Sequence, residues 1–308
     1  MVANSLARKT ESKPKTFSAF LTSDAVKRRI NAMVGGADGQ RFISGITSAV
    51  SVNPYLSECD HSTILSAALL GESLKLSPSP QLGYYYMVPF NDKKHGRKVA
   101  QFQLGYKGYI QLAIRSGQYK KINVLAIKEG ELEYFDPLNE EIRVNLMVEN
   151  WDEREAAKTI GYYAMFELVN GFRKAMYWSF DQMLAHADKY SNAFSAAKYR
   201  DLLDGKIPQS EMWKYSSFWY KDFDGMAYKT MLRQLISKWG IMSVEMQTAM
   251  TNDMGSINDD GTVDYVDNNE EVVIVPNEPP QDAPNDLPQD TAPQTDAVRD
   301  FFGEEVEG

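Results

Sequence analysis

The sequence predicts an α+β fold, and three features of its 308 residues support this class. Apolar residues recur at helical spacing near both ends of the folded part, while runs of strand length lie between them. An Asn-Gly pair separates two of those runs, which is a strong signal of a β-hairpin. The last stretch is acidic and rich in proline, which predicts disorder. We therefore expect N-terminal helices, a small antiparallel sheet with β-hairpins and interleaved helices, a long C-terminal helix and a disordered acidic tail.

The first part of the chain is predicted to be helical. Residues 1–16 are polar and basic and predict a flexible arm. Apolar residues at helical spacing then predict helices at Ala25–Met33, Arg41–Val50 and Ser62–Leu74. Asp60 is expected to cap the third of these helices, because a side-chain oxygen just before a helix accepts hydrogen bonds from its first amides.

The chain then changes to the two-residue period of strands. Tyr84–Phe90 and Val99–Leu104 are predicted to form a hairpin with a polar, basic tip, NDKKHGRK. Further strands are predicted at Ile122–Lys128 and Ile142–Val148. On charge alone, the tip supplies four candidate contacts to nucleic-acid phosphates: Lys93, Lys94, Arg97 and Lys98.

A second hairpin follows from its turn. Ile160–Val169 and Phe172–Phe180 flank Asn170-Gly171, a preferred two-residue turn between antiparallel strands. Ser179 and Gln182 are spaced as a capping box, so a helix is predicted to begin directly after this hairpin.

The last long helix is predicted at Asp222–Trp239. Apolar residues lie on nearly all of its sides, which is typical of a mostly buried helix. Lys229 and Arg233, one turn apart, form a narrow stripe that is expected to meet solvent or a ligand. Lys221 precedes the helix, and Lys238 near its end lies on about the opposite side from Lys229. The folded domain is therefore predicted to span residues 17–244.

A shorter helix within Leu104–Tyr119 has two distinct faces. The polar face and the residues just after the helix supply five candidate DNA contacts: Lys107, Gln111, Arg115, Lys120 and Lys121. The other face is predicted to be buried and consists of Tyr106, Tyr109, Ile110, Ala113 and Ile114. The polar stripe is also typical of a solvated helix face that binds nothing.

The net charge of −9 is unevenly distributed. Residues 251–308 contain sixteen acidic residues and one basic residue, Arg299, for a charge of −15. The remaining 250 residues therefore hold 32 of the 33 basic residues and 26 of the 42 acidic ones, for a charge of +6. A basic fold with an acidic tail points toward nucleic acid. We predict that residues 245–308 are disordered and end in a partner-docking peptide, with Phe301 and Phe302 as its anchors.

Enzyme motifs are largely absent from the sequence. It has no GxxxxGK[ST] phosphate loop, no HExxH and no GxSxG, so we expect no cofactor and no catalytic residues. Asp222 and Asp224 remain as possible metal ligands of a nuclease, but acids at the start of a helix also favour its dipole. Cys59 is the only cysteine, and the N-terminus has no secretory signal, so a reducing cytoplasm is expected.

Four stretches carry a family resemblance, in consistent order between Ser44 and Val244. They are NPYLSECDHSTILSAALLGESLKLSPSP from Asn53, LGYKGYIQLAIRSG from Leu104, AHADKYS from Ala185, and SFWYKDFDGMAYKTMLRQLISKWG from Ser217. Together they resemble the RecT family of phage single-strand annealing proteins.

The resemblance implies a function without a chemical step. RecT-like proteins bind single-stranded DNA, assemble into rings or helical filaments, and anneal complementary strands in recombination without ATP. They act beside a phage exonuclease and contact the host single-strand binding protein. The basic positions inside the matching motifs are Lys107, Arg115, Lys221, Lys229, Arg233 and Lys238. A metal-dependent nuclease and a basic scaffold with no nucleic-acid role remain as alternatives.

Overall fold

The computed structural model describes residues 16–258 and 260–264, without the side chains of residues 36 and 37. Most of the predicted N-terminal arm and most of the predicted acidic tail lie outside the described residues. The predicted docking peptide with Phe301 and Phe302 lies outside them too.

The described part of the chain begins with four helices, α1–α4, of which the sequence predicts α2, α3 and α4 but not α1. Their bounds are α1 Phe17–Leu21, α2 Asp24–Val34, α3 Gly36–Val52 and α4 His61–Ser73, with a 3-10 turn at Pro54–Glu58. Asp60 caps α4 as expected, since its carboxylate accepts a hydrogen bond from the amide of Ser62.

Four strands form the first sheet, in the order β1-β2-β8-β9 with antiparallel neighbours. The strands are β1 Tyr85–Asp92, β2 Arg97–Leu104, β8 Gly255–Ile257 and β9 Val263–Asp264. The first predicted hairpin is confirmed by β1 and β2, and Lys93 and Lys94 lie at its tip. Helix α4 packs across β1, β2 and β8.

The second sheet follows helix α5, Tyr106–Arg115, and has the antiparallel order β3-β6-β7. Its strands are β3 Tyr119–Lys128, β6 Thr159–Leu168 and β7 Arg173–Ser179. The predicted hairpin at Asn170-Gly171 is confirmed, but its loop is longer than expected. The amide of Leu168 donates to the carbonyl of Phe172, and Gly171 has a φ of +87°, so the loop has three residues rather than two.

Residues 129–158 connect β3 to β6 and form a small unit beyond the end of the second sheet. This unit contains the hairpin β4 Leu132–Asp136 and β5 Glu141–Val144, followed by helix α6 Trp151–Ala156. The predicted strand Ile142–Val148 therefore ends early. The amide of Met147 donates to the side chain of Glu131 at 3.1 Å rather than to a neighbouring strand.

The remaining helices follow β7. They are α7 Phe180–Tyr190, α8 Ala196–Leu203, α9 Phe218–Lys221, α10 Phe223–Trp239 and α11 Val244–Thr251, with a 3-10 turn at Gln209–Lys214. The capping box of Ser179 and Gln182 is present at the start of α7. Helix α10 packs across all three strands of the second sheet, and α5 packs against α10 and β3.

The prediction that the fold ends at residue 244 is wrong. Helix α11 buries Met246 and Ala249, and β8 pairs with β2. This segment was assigned to the tail because it is polar, but Met246, Ala249 and Ile257 are buried in the core. Within the described residues, no helix has both the length and the apolar character that a bilayer crossing requires.

Candidate nucleic-acid interface

Helix α5 presents the polar stripe that the sequence predicts, with one correction on its edge. Lys107 and Arg115 are exposed and Gln111 is half-buried, whereas Tyr109 is fully buried. Ile114 was assigned to the buried face but is exposed. A surface helix commonly buries about 100° of its circumference, and here the buried arc is centred on Tyr109, Leu112 and Ala113.

Two glycines bring the start of α5 close to the chain before β1. A Cβ atom on Gly108 would lie 2.1 Å from the carbonyl oxygen of Tyr84, and one on Gly105 would lie 2.2 Å from that of Gly83. Both distances are too short for any side chain, so these positions require glycine. The close approach fixes where α5 begins and places Lys107 beside Gly83, at one end of the helix.

A narrow cleft separates the start of α5 from the start of α10. Tyr86, Tyr106 and Phe218 are among its lining residues, together with the buried Lys229. The rings of Tyr86 and Phe218 lie 5.2 Å apart. The cleft has a volume of about 40 Å³, which is room for a water molecule but not for a base. Lys107 and Lys221 are both exposed and adjoin residues that line this cleft.

Arg115 is exposed, but its guanidinium is already engaged. It donates hydrogen bonds to the backbone carbonyls of Leu74 and Lys75, at the end of α4. Because those carbonyls lie at a helix C-terminus, the cation also compensates the negative end of the helix dipole. Arg115 therefore joins α5 to α4 while one edge of its side chain still meets solvent.

Lys229 and Arg233 do not form the solvent-facing stripe that the sequence predicts. Lys229 is only 6% exposed, and its Nζ lies 2.8 Å from Oδ1 of Asp253. Nη1 of Arg233 lies 3.2 Å from Oδ2 of the same carboxylate. Asp253 also accepts a hydrogen bond from the amide of Leu104 at 2.9 Å. Both cations thus hold the residues after α11 against α10 and the end of β2, and Lys229 is a structural residue.

The tip of the first hairpin retains two of its four predicted candidates as unpaired cations. Arg97 is ion-paired with Asp60 and Asp92, and Lys98 is paired with Glu58. Lys93 and Lys94 are exposed and have no ion pair within the described part of the chain. The tip therefore carries a smaller free charge than its sequence suggests.

A group of cations lies at the opposite end of α5, where β3 begins. Lys120 and Lys121 are exposed on either side of Glu167, at 2.5 and 3.8 Å from its carboxylate. Arg173, also exposed, is the strand partner of Glu167. The pKa of Glu167 is lowered because Lys120 donates a hydrogen bond to it and because all three cations attract its charge. Three positive charges thus surround one negative charge.

Trp239, at the end of α10, is partly exposed beside two lysines, although the helix was predicted to be mostly buried. Its side chain is 38% exposed. Nζ of Lys174 lies 4.3 Å from the centroid of its ring, and Nζ of Lys238 lies 5.8 Å from it. Lys174 is also ion-paired with Glu140. An accessible indole flanked by cations is suited to stacking on a base next to its phosphate.

Helices α5 and α10 run in the same direction and connect the cleft at their starts to the cations near Glu167 and Trp239. Residues at the starts of both α5 and α10 line the cleft. Beyond their ends, the hydroxyl of Tyr119 donates to the carbonyl of Ile241 at 2.8 Å. The seventeen residues of α10 span about 25 Å at a rise of 1.5 Å per residue. Exposed cations therefore lie at both ends of the pair, and the stripe of α5 connects them.

The two candidate metal ligands have structural partners. Asp222 is the N-cap of α10, since its carboxylate accepts a hydrogen bond from the amide of Gly225 at 3.0 Å. Asp224 accepts a hydrogen bond from the hydroxyl of Tyr162 at 2.6 Å. Among residues 16–258 and 260–264, no group of three or more His, Cys, Asp or Glu side chains is arranged to hold a metal ion. Both aspartates thus stabilise the start of α10.

Comparison with known proteins decides the family. A model of the RecT family matches residues 40–271, which include both ends of the helix pair and the segment that carries Asp253. This chain belongs to the RecT family. Membership in the RecT family supports a phage-type role in single-strand annealing, with binding to single-stranded DNA and assembly of several copies.

Two curated relatives show how far the RecT family similarity extends. The uncharacterized protein YqaK of Bacillus subtilis (strain 168) is 38% identical over 254 residues, 81% of this chain and 78% of the relative. Protein RecT of Escherichia coli (strain K12) is 27% identical over 239 residues, 76% of this chain and 79% of the relative. The resemblance read from the four motifs is thereby confirmed.

Sequence reasoning missed the candidate contacts that depend on strand pairing. Arg173 and Lys174 were not selected, because nothing in their immediate sequence marks them. The predicted hairpin did contain the necessary signal, since pairing Phe166 with Lys174 brings β7 beside the end of β6. Trp239 was missed because it ends an apolar helix and was therefore assigned to the core.

Proposed function

We propose that this chain binds single-stranded DNA along the α5–α10 helix pair and anneals it to a complementary strand without ATP, as one subunit of a ring or helical filament. The observation that supports this most strongly is a polar path in which Lys107, Arg115, Lys120 and Lys121 are exposed and Gln111 is half-buried. The path joins the cations beside the cleft to the group around Glu167 and Trp239. It also lies within the part of the chain that matches the family.

The chemistry of this path suits binding that does not depend on sequence. Lysine and arginine side chains contact phosphates, which are the same for every nucleotide. The base edges of a strand held in this way remain free to pair. Recognition of the second strand would then come from base pairing itself, so the protein needs neither a base-reading motif nor a hydrolytic site.

The annealed duplex is the product that the assembly would retain. A second strand that pairs with the first brings a second row of phosphates, and additional cations near the path can contact them. Lys221, beside the cleft, is an exposed candidate for this role, whereas the exposed Lys93 and Lys94 lie at the far end of β1 and β2 from α5. Neighbouring subunits would extend the path, so a long duplex would be held by many weak contacts.

The proposed annealing role also suggests which proteins act together with this chain. Single strands must be exposed before they anneal, so we propose that the protein acts beside a phage exonuclease and the host single-strand binding protein, in the cytoplasm of a bacterial host. Phe301 and Phe302 lie outside the described residues and remain our candidates for docking these partners.

The proposal is tested with two complementary oligonucleotides, one carrying a fluorophore and the other a quencher, mixed without any nucleotide cofactor. We expect the protein to accelerate quenching, and we expect strands recovered after incubation with magnesium to keep their full length on a denaturing gel. Quenching no faster than in buffer would contradict the annealing role. Shortened strands would instead support the nuclease alternative with Asp222 and Asp224.

A further inference from the structure

The connection between β3 and β6 is acidic although the rest of the described fold is basic. Residues 129–155, here called the acidic lobe, contain ten acidic residues and two basic ones, Arg143 and Arg154, for a charge of −8. All but two of the acids are exposed. Such a surface repels phosphates, so the acidic lobe is unsuited to contact DNA and is available for another partner.

The acidic lobe also exposes large apolar side chains. Leu138, at the turn between β4 and β5, is 88% exposed, and Tyr134, Val148 and Trp151 are exposed as well. Aromatic and aliphatic anchors surrounded by charged residues are the usual composition of a protein–protein interface. Residues 16–258 and 260–264 leave these side chains exposed.

A buried ion pair holds the acidic lobe in a fixed shape. The side chain of Glu131 is fully buried and lies 2.6 Å from Nε of Arg154 in α6. Glu131 also accepts hydrogen bonds from the amides of Lys128 and Met147. Arg154 in turn donates to the carbonyl of Ala126 in β3. Both the hairpin and α6 are thus fastened to the end of β3, so the acidic lobe is preorganised for binding.

The N-terminal helices offer a surface of complementary charge on the same chain. Helix α2 exposes Lys27 and Arg28, and neither has an ion pair within the part of the chain that the structure describes. Helix α2 as a whole holds three basic residues and one acidic residue, Asp24, for a charge of +2. Met33, Val52 and Tyr55 add exposed apolar area in this region.

We propose that the acidic lobe of one subunit docks on the N-terminal helices of the next copy, with Lys27 and Arg28 facing its carboxylates. The proposal rests on the self-assembly in the proposed function and names the surfaces that produce it. Because the two surfaces differ, the contact is head to tail, and repeated contacts of this kind build a closed ring or an open helical filament. Opposite charges steer the encounter, and the apolar side chains supply the buried area.

Charge reversal on each surface tests the proposal in the full-length chain. The lobe variant is Glu133→Lys/Glu149→Lys, and the helix variant is Lys27→Glu/Arg28→Glu. Sedimentation velocity, with and without a long single strand, measures assembly. We expect both variants to shift from assemblies to monomers.

Mixing the two variants distinguishes a head-to-tail contact from a symmetric one. A mixture has one functional pair of surfaces, formed by the intact lobe of one variant and the intact helices of the other, so assembly should stop at dimers. Leu138→Ser should also reduce assembly, whereas the matched control Leu203→Ser, at another exposed leucine, should not. The comparison of Leu138→Ser with Leu203→Ser keeps the test valid if a charge reversal impairs folding.

Three results would overturn the proposal: wild-type protein that stays monomeric with and without DNA, assembly that is unchanged in both charge variants, or a mixture of the two folded variants that forms no dimers. Binding of an oligonucleotide short enough for one subunit is measured in parallel. Lost assembly with retained binding leaves the DNA-binding function intact, whereas wild-type protein that binds no single strand contradicts the proposed function itself.

Discussion

Nζ of Lys229 lies 2.8 Å from Oδ1 of Asp253, and both side chains are shielded from solvent. The pair joins the middle of α10 to the turn between α11 and β8. Arg233 contacts the other oxygen of the same carboxylate. A lysine that the sequence favoured as a DNA contact is therefore part of the core, and an aspartate assigned to the tail neutralises it.

Replacing Asp253 should strongly destabilise the fold. In Asp253→Asn, Lys229 stays buried without a counter-charge, and removal of one partner from a buried ion pair typically costs about 3–5 kcal/mol. Urea denaturation followed by circular dichroism measures this loss. Asp260→Asn, an exposed acid in the same segment, is the control and should cost less than about 0.5 kcal/mol. Equal stabilities for the two variants would show that the ion pair contributes nothing.

The end of the folded part can be located by two truncations. Removing residues 271–308 should leave the unfolding free energy unchanged, because every described element precedes them. Removing residues 251–308 should destabilise the protein, because it deletes Asp253 and strand β8. Thermal unfolding of the two truncated proteins gives the comparison. A stable protein that ends at residue 250 would support the predicted end of the folded domain near residue 244.

Local patterns in the sequence predicted local structure well. The caps at Asp60 and at Ser179 and Gln182, both hairpins and the long helix α10 were all predicted, since each depends on residues a few positions apart. The burial of Lys229 in an ion pair could not be predicted from its sequence neighbours, because its partner Asp253 is distant in the chain. The grouping of Lys120 and Lys121 with Arg173 likewise depends on strand pairing.

The close packing at the start of α5 predicts that one added methyl group there destabilises the fold. Gly108→Ala would place a methyl group 2.1 Å from the carbonyl oxygen of Tyr84, and the backbone must shift to accept it. Overpacking of this kind costs about 1–3 kcal/mol, measurable by urea denaturation. Gln111→Ala, on the accessible side of the same helix, is the matched control. A Gly108→Ala protein as stable as this control would contradict the observed packing.

His186 predicts a specific sensitivity to acid. Burial, together with the nearby charges of Arg233 and Lys189, lowers the pKa of His186 to about 4. The unfolded chain therefore takes up this proton near pH 6.5, while the folded chain resists it until about pH 4. Stability should accordingly fall as the pH decreases between these values, and this contribution is absent above pH 6.5.

The contribution of His186 is isolated by comparison with His186→Gln, which cannot take up the proton. Urea denaturation at several pH values should show a shallower loss of stability for this variant below pH 6.5. Measurements above pH 6.5, where His186 is neutral in both the folded and the unfolded chain, are the control for the change in packing. Identical pH dependence for wild type and His186→Gln would contradict the assigned role.

The central claim is that single-stranded DNA follows the path from Lys107 to the lysines at 120 and 121. The variant Lys107→Ala/Lys120→Ala/Lys121→Ala removes three charges from this path. The control Lys198→Ala/Lys206→Ala/Lys214→Ala removes three exposed lysines elsewhere, each ion-paired with an acid nearby. Both variants change the total charge equally, so any difference in DNA binding between them depends on where the lysines were removed.

The most direct measurement is the Kd for a single strand as a function of salt concentration, for wild type and both variants. Each phosphate contact contributes about −0.7 to the slope of log affinity against log salt. We predict that the path variant loses affinity for every sequence tested and that its slope becomes shallower by about 2. The control should match wild type. Equal affinity and slope for the two variants would contradict the proposed DNA path.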